Sequence, residues 1–514
     1  MADVPGTGIP AHLAERMSMA EQHEYLRRAL SRRRVIGAAG GIAAGGLLAA
    51  CSDDGGSPAD KPSPATGDTD GGATAPFGRH LALGADPRTQ MRIAWQVPSA
   101  VKKPFVRYGT KPGELTERVA AELRPLKTPS LGAKLPALEQ YYVHAALDSL
   151  DPGTTYHYAL GHEGYDDGKA SASFRTAPGR PGTFTFTAFG DQGVTRAARS
   201  MGKLIGDRDP AFHLHAGDIC YAEETGHGRE DDSKYDARVW DTFMKQIDPV
   251  AAKVPWMIAT GNHDMEAYYS PNGYGGQQAR WALPENGFDA REAPGAYSFV
   301  YGNTAVVALD ANDVSYEIPA NLGYTDGRQT KWLDQTLGRL RANDAVDFIV
   351  VFFHHCAYSS STHASDGGVR SAWVPLFDKH RVDLVINGHN HVYERTDAIR
   401  SDALQRPLPI GGSAQPARDG TVYVTAGGGG RELFDFSAPD SYAGHQKPRD
   451  AVGTFTWQRG RGKERAQVEW SRVRYTGYSF LAVEVTAGAR PRLKATAMSD
   501  GGMKIDSFEL VARA

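Results

Sequence analysis

Seven side chains in the 514-residue chain have the chemistry to hold cations: Asp191, Asp218, Tyr221, Asn262, His354, His389 and His391. Each lies in or close behind a polar signature that ends a short apolar run. Phe184, Phe186 and Ala188 lead into Gly190-Asp191-Gln192-Gly193, and Phe212, Leu214 and Ala216 lead into Gly217-Asp218-Ile219-Cys220-Tyr221. Trp256 to Ala259 precede Gly261-Asn262-His263-Asp264, Phe348 to Phe353 precede His354, and Val382 to Ile386 precede Gly388-His389-Asn390-His391. Such runs read as buried strands. In α/β sheets, ligands bind just past the carboxyl ends of strands. The set offers three oxygen donors able to carry negative charge, one amide oxygen and three imidazoles. One zinc ion takes four ligands, so seven suit two ions that share a bridging carboxylate. Two cations about 3.5–4 Å apart clamp a phosphoryl group for in-line displacement, one generating hydroxide and both neutralising charge.

The elements that must position these residues fall into two patterns. From 77 to 178 the apolar residues recur with period two: Met91, Ile93, Trp95 and Val97 read as one half-buried strand, and Phe105–Tyr108 and Tyr141–Leu147 as others. Leu150-Asp151-Pro152-Gly153-Thr154-Thr155-Tyr156-His157-Tyr158 resembles the fibronectin type III pattern around a tyrosine corner. This region is predicted to be an all-β, fibronectin III-like sandwich with a structural role. From 179 to 514 short strands alternate with helical stretches, expected over 195–205, 238–248, 327–342 and 371–380. That predicts an α/β domain of two packed mixed sheets flanked by helices.

Taken in order, the five signatures resemble the five motifs of the purple acid phosphatases, within the calcineurin-like metallophosphoesterase superfamily. Val392-Tyr393-Glu394-Arg395 extends the likeness toward the plant-type branch, which also carries a fibronectin-like N-terminal domain. Other metallophosphoesterases begin with Asp-x-His; here the third position is Gly193, and Tyr221 supplies the missing ligand. Carried over position by position, the resemblance implies that Asp191, Tyr221 and His391 hold Fe(III). Asn262, His354 and His389 would hold a divalent Fe, Zn or Mn ion, with Asp218 bridging. Two carboxylates, one phenolate and a bridging hydroxide against five metal charges leave about +1, which suits a phosphate dianion. Tyrosinate-to-iron charge transfer would colour the protein purple. His263, after the ligand Asn262, and His363, nine residues after His354, are the implied substrate-binding and proton-donating residues. The plant enzymes carry a second histidine after the latter; here Ala364 stands there, which predicts a simpler proton relay.

The implied activity is acid hydrolysis of phosphate monoesters by attack of metal-bound hydroxide. The alternatives are a phosphodiesterase or broad phosphoesterase of the same fold, including one like the calcium-dependent alkaline phosphatases, and a surface-binding protein on a retired catalytic fold. A small phosphoester is the expected substrate. Fifty-seven basic against 60 acidic residues give a formal charge of −3, which leaves no basic field for nucleic acid. Nothing in the sequence fixes an oligomeric state.

The first 50 residues read as an export signal. Ser31-Arg32-Arg33-Arg34 resembles a twin-arginine signal ahead of an apolar run, and Leu48-Ala49-Ala50-Cys51 resembles a lipobox. Cys51 would then carry a lipid and tether an exported bacterial protein to the outer face of the membrane. Residues 51–76, rich in Asp, Gly and Pro, read as a flexible linker.

Other conspicuous residues read as structural. His213 and His215 alternate along a strand and belong to the core or behind the ligands. His355 should point away from His354. Cys220 and Cys356 read as buried thiols, with a disulfide between them as the alternative. Gly427 to Gly430 lack the Lys-Ser/Thr ending of a phosphate loop and read as a turn near the metal rim. The loop 222–235, with Glu223, Glu224 and His227, has no assigned role.

Overall fold

A computed structural model describes residues 74–228, 234–447 and 451–513. The proposed signal, Cys51 and the linker up to 73 lie outside the described residues. Asp68–Ala514 forms one compact unit.

Its N-terminal part is a sandwich of two antiparallel sheets. One has the strand order Phe77–Leu83, Met91–Val97, Leu138–Leu147, Glu122–Thr128; the other is built around Phe105–Gly109 and Thr155–His162. The tyrosine corner forms as the sequence predicts: the Asp151 amide donates to the Tyr156 hydroxyl at 2.9 Å. The Met91–Val97 strand departs from expectation. It is buried on both faces rather than one, because its polar side packs on the rest of the molecule. Gln96 and Gln140 both donate to Asp241 of the helix Arg238–Ala251. On the same helix Asp248 accepts from the Arg79 backbone and pairs with its guanidinium, each at 3.0 Å. The Tyr158 hydroxyl donates to Ala252 O at 2.8 Å, and Leu81 forms a bridge to Pro255.

Two seven-stranded mixed sheets follow. In the first, Trp256–Ile258, Phe212–His215 and Phe184–Phe189 run parallel, and Ser479–Thr486 continues antiparallel. In the second, Thr304–Ala308, Phe348–Phe352, Leu384–Asn387 and Val422–Ala426 run parallel. Aromatic rings join the two inner faces: Phe212 packs on Phe186 (5.1 Å) within the first sheet and on Phe299 (5.4 Å) of the second. The outer face of the second sheet is a separate layer. Ala305, Val307, Ile349, Val351 and Val385, at alternate positions, pack with Trp332, Leu333 and Leu337 of helix Arg328–Arg341 and Trp373 and Phe377 of helix Gly367–His380. The four expected helices are found as Arg196–Gly206, Arg238–Ala251, Arg328–Arg341 and Gly367–His380, and among the described residues two short ones are added, Pro416–Asp419 and Gly275–Arg280.

The short helix Gly275–Arg280 completes the brace. Arg280 pairs with Glu266 at 2.7 Å with both side chains fully buried, and its guanidinium lies over Trp240. Its carbonyl accepts from His80 of the sandwich at 2.9 Å. Breaking a buried pair leaves an uncompensated charge, at a cost of about 3–5 kcal/mol. Glu266→Gln is therefore expected to destabilise the protein by about that amount in urea titration, with the transitions of sandwich and catalytic region staying coincident.

Candidate metal centre

The carboxyl ends of five strands converge, three parallel in the first sheet and two in the second, and six of the seven residues singled out in the sequence come together there, with Asn262 following Gly261, which packs on Asp218. Tyr221 lies with its hydroxyl 2.9 Å from His391 Nε2 and 3.3 Å from Asp191 Oδ1, and His391 Nε2 is 3.4 Å from Asp191 Oδ1. Beside this trio, His354 Nε2 is 3.2 Å from Asp218 Oδ2, 3.2 Å from His389 Nδ1 and 4.0 Å from Asp191 Oδ1. Asp218, His354 and His389 present donor atoms close enough together for one cation.

The backbone is shaped to bring them in. Asp191 (φ 61°), Asp218 (φ 53°), Tyr221 (φ 59°) and His389 (φ 68°) all adopt left-handed conformations, which cost non-glycine residues free energy and gather at functional sites. Asp264 offsets part of this by accepting from the amides of Gly261 (2.8 Å), Asp218 (2.9 Å) and Ile219 (3.1 Å). Gly388 is required by space: a Cβ there would lie 2.7 Å from both Ala216 O and Asp191 Oδ2.

Hydrogen bonds set which atom of each ligand faces inward. His354 Nδ1 bonds Ala216 O at 2.8 Å and His391 Nδ1 bonds Glu432 O at 2.5 Å, so Nε2 of each is left for the centre. Asn262 Nδ2 donates to Gly226 O at 3.2 Å, and its Oδ1 is buried with no protein partner. Two carboxylates, a phenol, imidazole lone pairs and this orphaned buried amide oxygen make a donor set that fits bound cations.

The electrostatics agree. Burial, then the charges of Asp191 and Asp218, push the Tyr221 phenol well above its ordinary value, with Arg431 opposing. A phenolate here therefore needs a cation. Burial opposes ionisation of Asp218, but His354 and His263 hold it well below the usual carboxylate range. Burial likewise opposes charging of His354, yet Asp218 outweighs it and lifts His354 to about 9 in the apoprotein. Burial, and after it the neighbouring imidazoles His363, His355, His354 and His391, push His389 well below its ordinary value and so favour the neutral form a ligand needs.

The other sequence-predicted residues sit close by. His263 packs its ring on Tyr221 (4.5 Å) and bonds the Glu223 carbonyl through Nδ1 at 2.7 Å. This gives the first part of the loop, Glu223 to Gly226, a role: the Glu223 carboxylate closes a turn onto the amides of Thr225 and Gly226, and the carbonyls of Glu223 and Gly226 hold His263 and Asn262. His363 lies over the His389 ring at 4.2 Å and is partly exposed. His213 and His215 are buried against Phe189 and Trp256. His355 departs from expectation: its ring packs on His389 at 4.4 Å, behind the ligands rather than away from them. Packing under a neighbouring imidazole, not strand alternation, governs it, since the chain has left the strand at Phe352. Cys220 and Cys356 are free and buried. Gly427 and Gly429 pack directly on Asn390 and Gly190, so the glycine run is a turn at the rim of the centre.

The comparisons with known proteins agree with this geometry. Residues 76–176 match the family model for the purple acid phosphatase N-terminal domain, and residues 185–393 match that for calcineurin-like phosphoesterases. A Mycobacterium tuberculosis protein described only as uncharacterized is 31% identical over 453 residues, covering 81% of this chain and 82% of its own.

The chain belongs to the purple acid phosphatases. Among relatives, Arabidopsis thaliana purple acid phosphatase 18 is 27% identical over 358 residues, covering 68% of this chain and 70% of its own. A yellow lupin seed purple acid phosphatase shares the fold, with a TM-score of 0.64 at 23% identity over 85% of this chain and 74% of that one. As a purple acid phosphatase, the protein is a phosphoesterase, and the family implies a binuclear metal centre. Among the described residues no helix is long and apolar enough to cross a membrane.

Two groups at the site escape sequence reasoning. Arg431 places its guanidinium 4.4 Å over the Tyr221 ring; a basic residue directly after the glycine run was the available signal. Glu317 contacts both His389 and His363, and it ends no strand and belongs to no motif.

The raised His354 generates a pH dependence. Its folded value of about 9 exceeds the ordinary 6.5, so its contribution is complete below pH 6.5 and disappears as pH rises through 9. Urea titrations of the chelator-treated apoprotein should lose roughly 3 kcal/mol between pH 6.5 and 9.5, and His354→Ala should flatten that slope.

Proposed function

We propose that the protein is an exported phosphatase that hydrolyses phosphate monoesters at an Fe(III)–divalent centre, with iron, zinc or manganese as the divalent ion. Asp191, Tyr221 and His391 hold the ferric ion, Asn262, His354 and His389 hold the divalent ion, and Asp218 bridges them. The observation that carries the reading is the Tyr221 hydroxyl lying between Asp191 and His391, since a buried phenol among carboxylates becomes a phenolate only against a highly charged cation. When bound, the two cations neutralise phosphoryl charge and provide a nucleophile at working pH.

The chain's own residues supply the rest. His263 and His363 flank the centre, both only partly buried at 17% and 31% side-chain exposure, so each can meet a substrate from the solvent side. Nδ1 of each is occupied, by the Glu223 carbonyl and the Glu317 carboxylate respectively, which leaves Nε2 of each for other contacts; His263 Nε2 lies 3.9 Å from Asp218 Oδ2. In the doubly protonated form either can donate from Nε2 a hydrogen bond to a phosphoryl oxygen or a proton to the departing alkoxide, while Nδ1–H stays on its own acceptor. Monoesters are favoured because the site's excess positive charge matches a dianion. The Ser31-Arg32-Arg33 signal and Cys51 support export of the already folded, metal-loaded chain and its retention by a lipid.

Elemental analysis of natively purified protein is expected to give two metals per chain, at least one of them iron, with a visible absorption band. Tyr221→Phe should abolish the band and the hydrolysis of p-nitrophenyl phosphate. A colourless, iron-free wild type would refute the ferric assignment. His263→Ala and His363→Ala should keep band and metals while kcat falls about 10²–10⁴-fold for the residue that serves as acid. Faster turnover of bis-p-nitrophenyl phosphate than of the monoester would replace the monoesterase reading with a diesterase.

A further inference from the structure

Of the three imidazoles at the centre, two are oriented by backbone carbonyls: Ala216 O for His354 and Glu432 O for His391. His389 differs. It turns Nδ1 toward His354 Nε2 (3.2 Å), and its Nε2 meets the Glu317 Oε2 carboxylate oxygen at 3.0 Å. The other oxygen of that carboxylate, Oε1, lies 2.7 Å from His363 Nδ1. One buried carboxylate, 7% exposed, therefore touches a candidate ligand and the candidate proton donor at once.

A carboxylate only accepts. Both facing nitrogens must then carry hydrogen: Nε2–H on His389 and Nδ1–H on His363. The bare nitrogens are His389 Nδ1, beside His354 Nε2, and His363 Nε2, so that a proton His363 takes up enters at Nε2 and is given from there. The loop holding Glu317 is itself fixed. Asp366 accepts from the Ser315 hydroxyl (2.7 Å) and from the amides of Tyr316 (3.0 Å) and Glu317 (3.2 Å). The same carboxylate caps the helix Gly367–His380 through Gly368 N and Val369 N. The His363 and His389 rings pack against each other, tilted by 38° with centroids 4.2 Å apart, so the carboxylate spans two imidazoles already in contact.

We propose that Glu317 is a positioning residue that locks His389 and His363 into complementary tautomers, so that one carboxylate prepares both the divalent-ion ligand and the substrate-facing histidine. The inference rests on the binuclear reading above. Carboxylate partners of ligating histidines orient the ring and raise its basicity, and their loss typically costs 10–100-fold in metal affinity. Glu317→Gln keeps the shape, but its amide accepts from only one ring and turns N–H groups on the other.

The test is Zn²⁺ titration of wild type and E317Q, with Glu317→Asp as the conservative variant, followed by elemental analysis after gel filtration. The expected result is 10–100-fold weaker Zn²⁺ binding in E317Q, partial rescue in E317D, and a lower kcat on p-nitrophenyl phosphate with little change in KM. Because E317Q could fail to fold, ¹⁵N-histidine NMR of the wild-type apoprotein is a second measurement. It should show His389 as the Nε2–H tautomer and His363 as the Nδ1–H tautomer. Two ions bound in both wild type and E317Q with equal Zn²⁺ affinity, or His389 found as the Nδ1–H tautomer, would overturn the role of Glu317 and leave the binuclear reading intact. A metal-loaded wild type that retains no more than one ion overturns both.

Discussion

The two sheets of the catalytic region pack face to face, and at the carboxyl ends of their strands their backbones come together with almost no space between them. The Asp191 carboxylate, from the first sheet, accepts the His389 amide, from the second, through both oxygens at 2.9 and 3.1 Å. The Gly190 amide donates to Ala426 O across the same junction at 2.9 Å. A side chain at Gly427 would collide with Asn390 O at 2.2 Å. Glycines at the crossing are therefore a packing requirement, and the left-handed turns at Asp191, Asp218, Tyr221 and His389 are its consequence.

That geometry gathers carboxylates, a phenol and imidazoles in a place water barely reaches. Such a set is costly unless cations compensate it. In their absence the cost shows as shifted proton affinities: His354 takes up a proton to answer Asp218, and Tyr221 keeps its own. Protons and metal ions thus compete for the same lone pairs, which couples metal binding to folding.

The β-sandwich contributes rigidity rather than chemistry. It grips the helix Arg238–Ala251 through Asp241 and Asp248 and reaches the strand beyond it through Leu81 and Pro255. That strand, Trp256–Ile258, delivers Asn262 and His263. A domain with no candidate reactive group so bears on the placement of two of them.

Local pattern was enough to find three strands of the sandwich, the five strands that end in the motifs, and the four long helices, because alternation of apolar residues and the polar signature behind each strand are carried by neighbours in the chain. The tyrosine corner was legible for the same reason: donor and acceptor are five residues apart. Glu317, Arg431 and the resting place of His355 were not. Glu317 reaches His389 across 72 positions of sequence, and its loop has no periodicity to announce where it lands. Double-sided burial of the Met91–Val97 strand also depended on a helix about 150 residues away. Composition and spacing determine which donors a chain can offer and on which strand ends; which partner fixes each donor's free lone pair is decided only when distant backbone segments close around it.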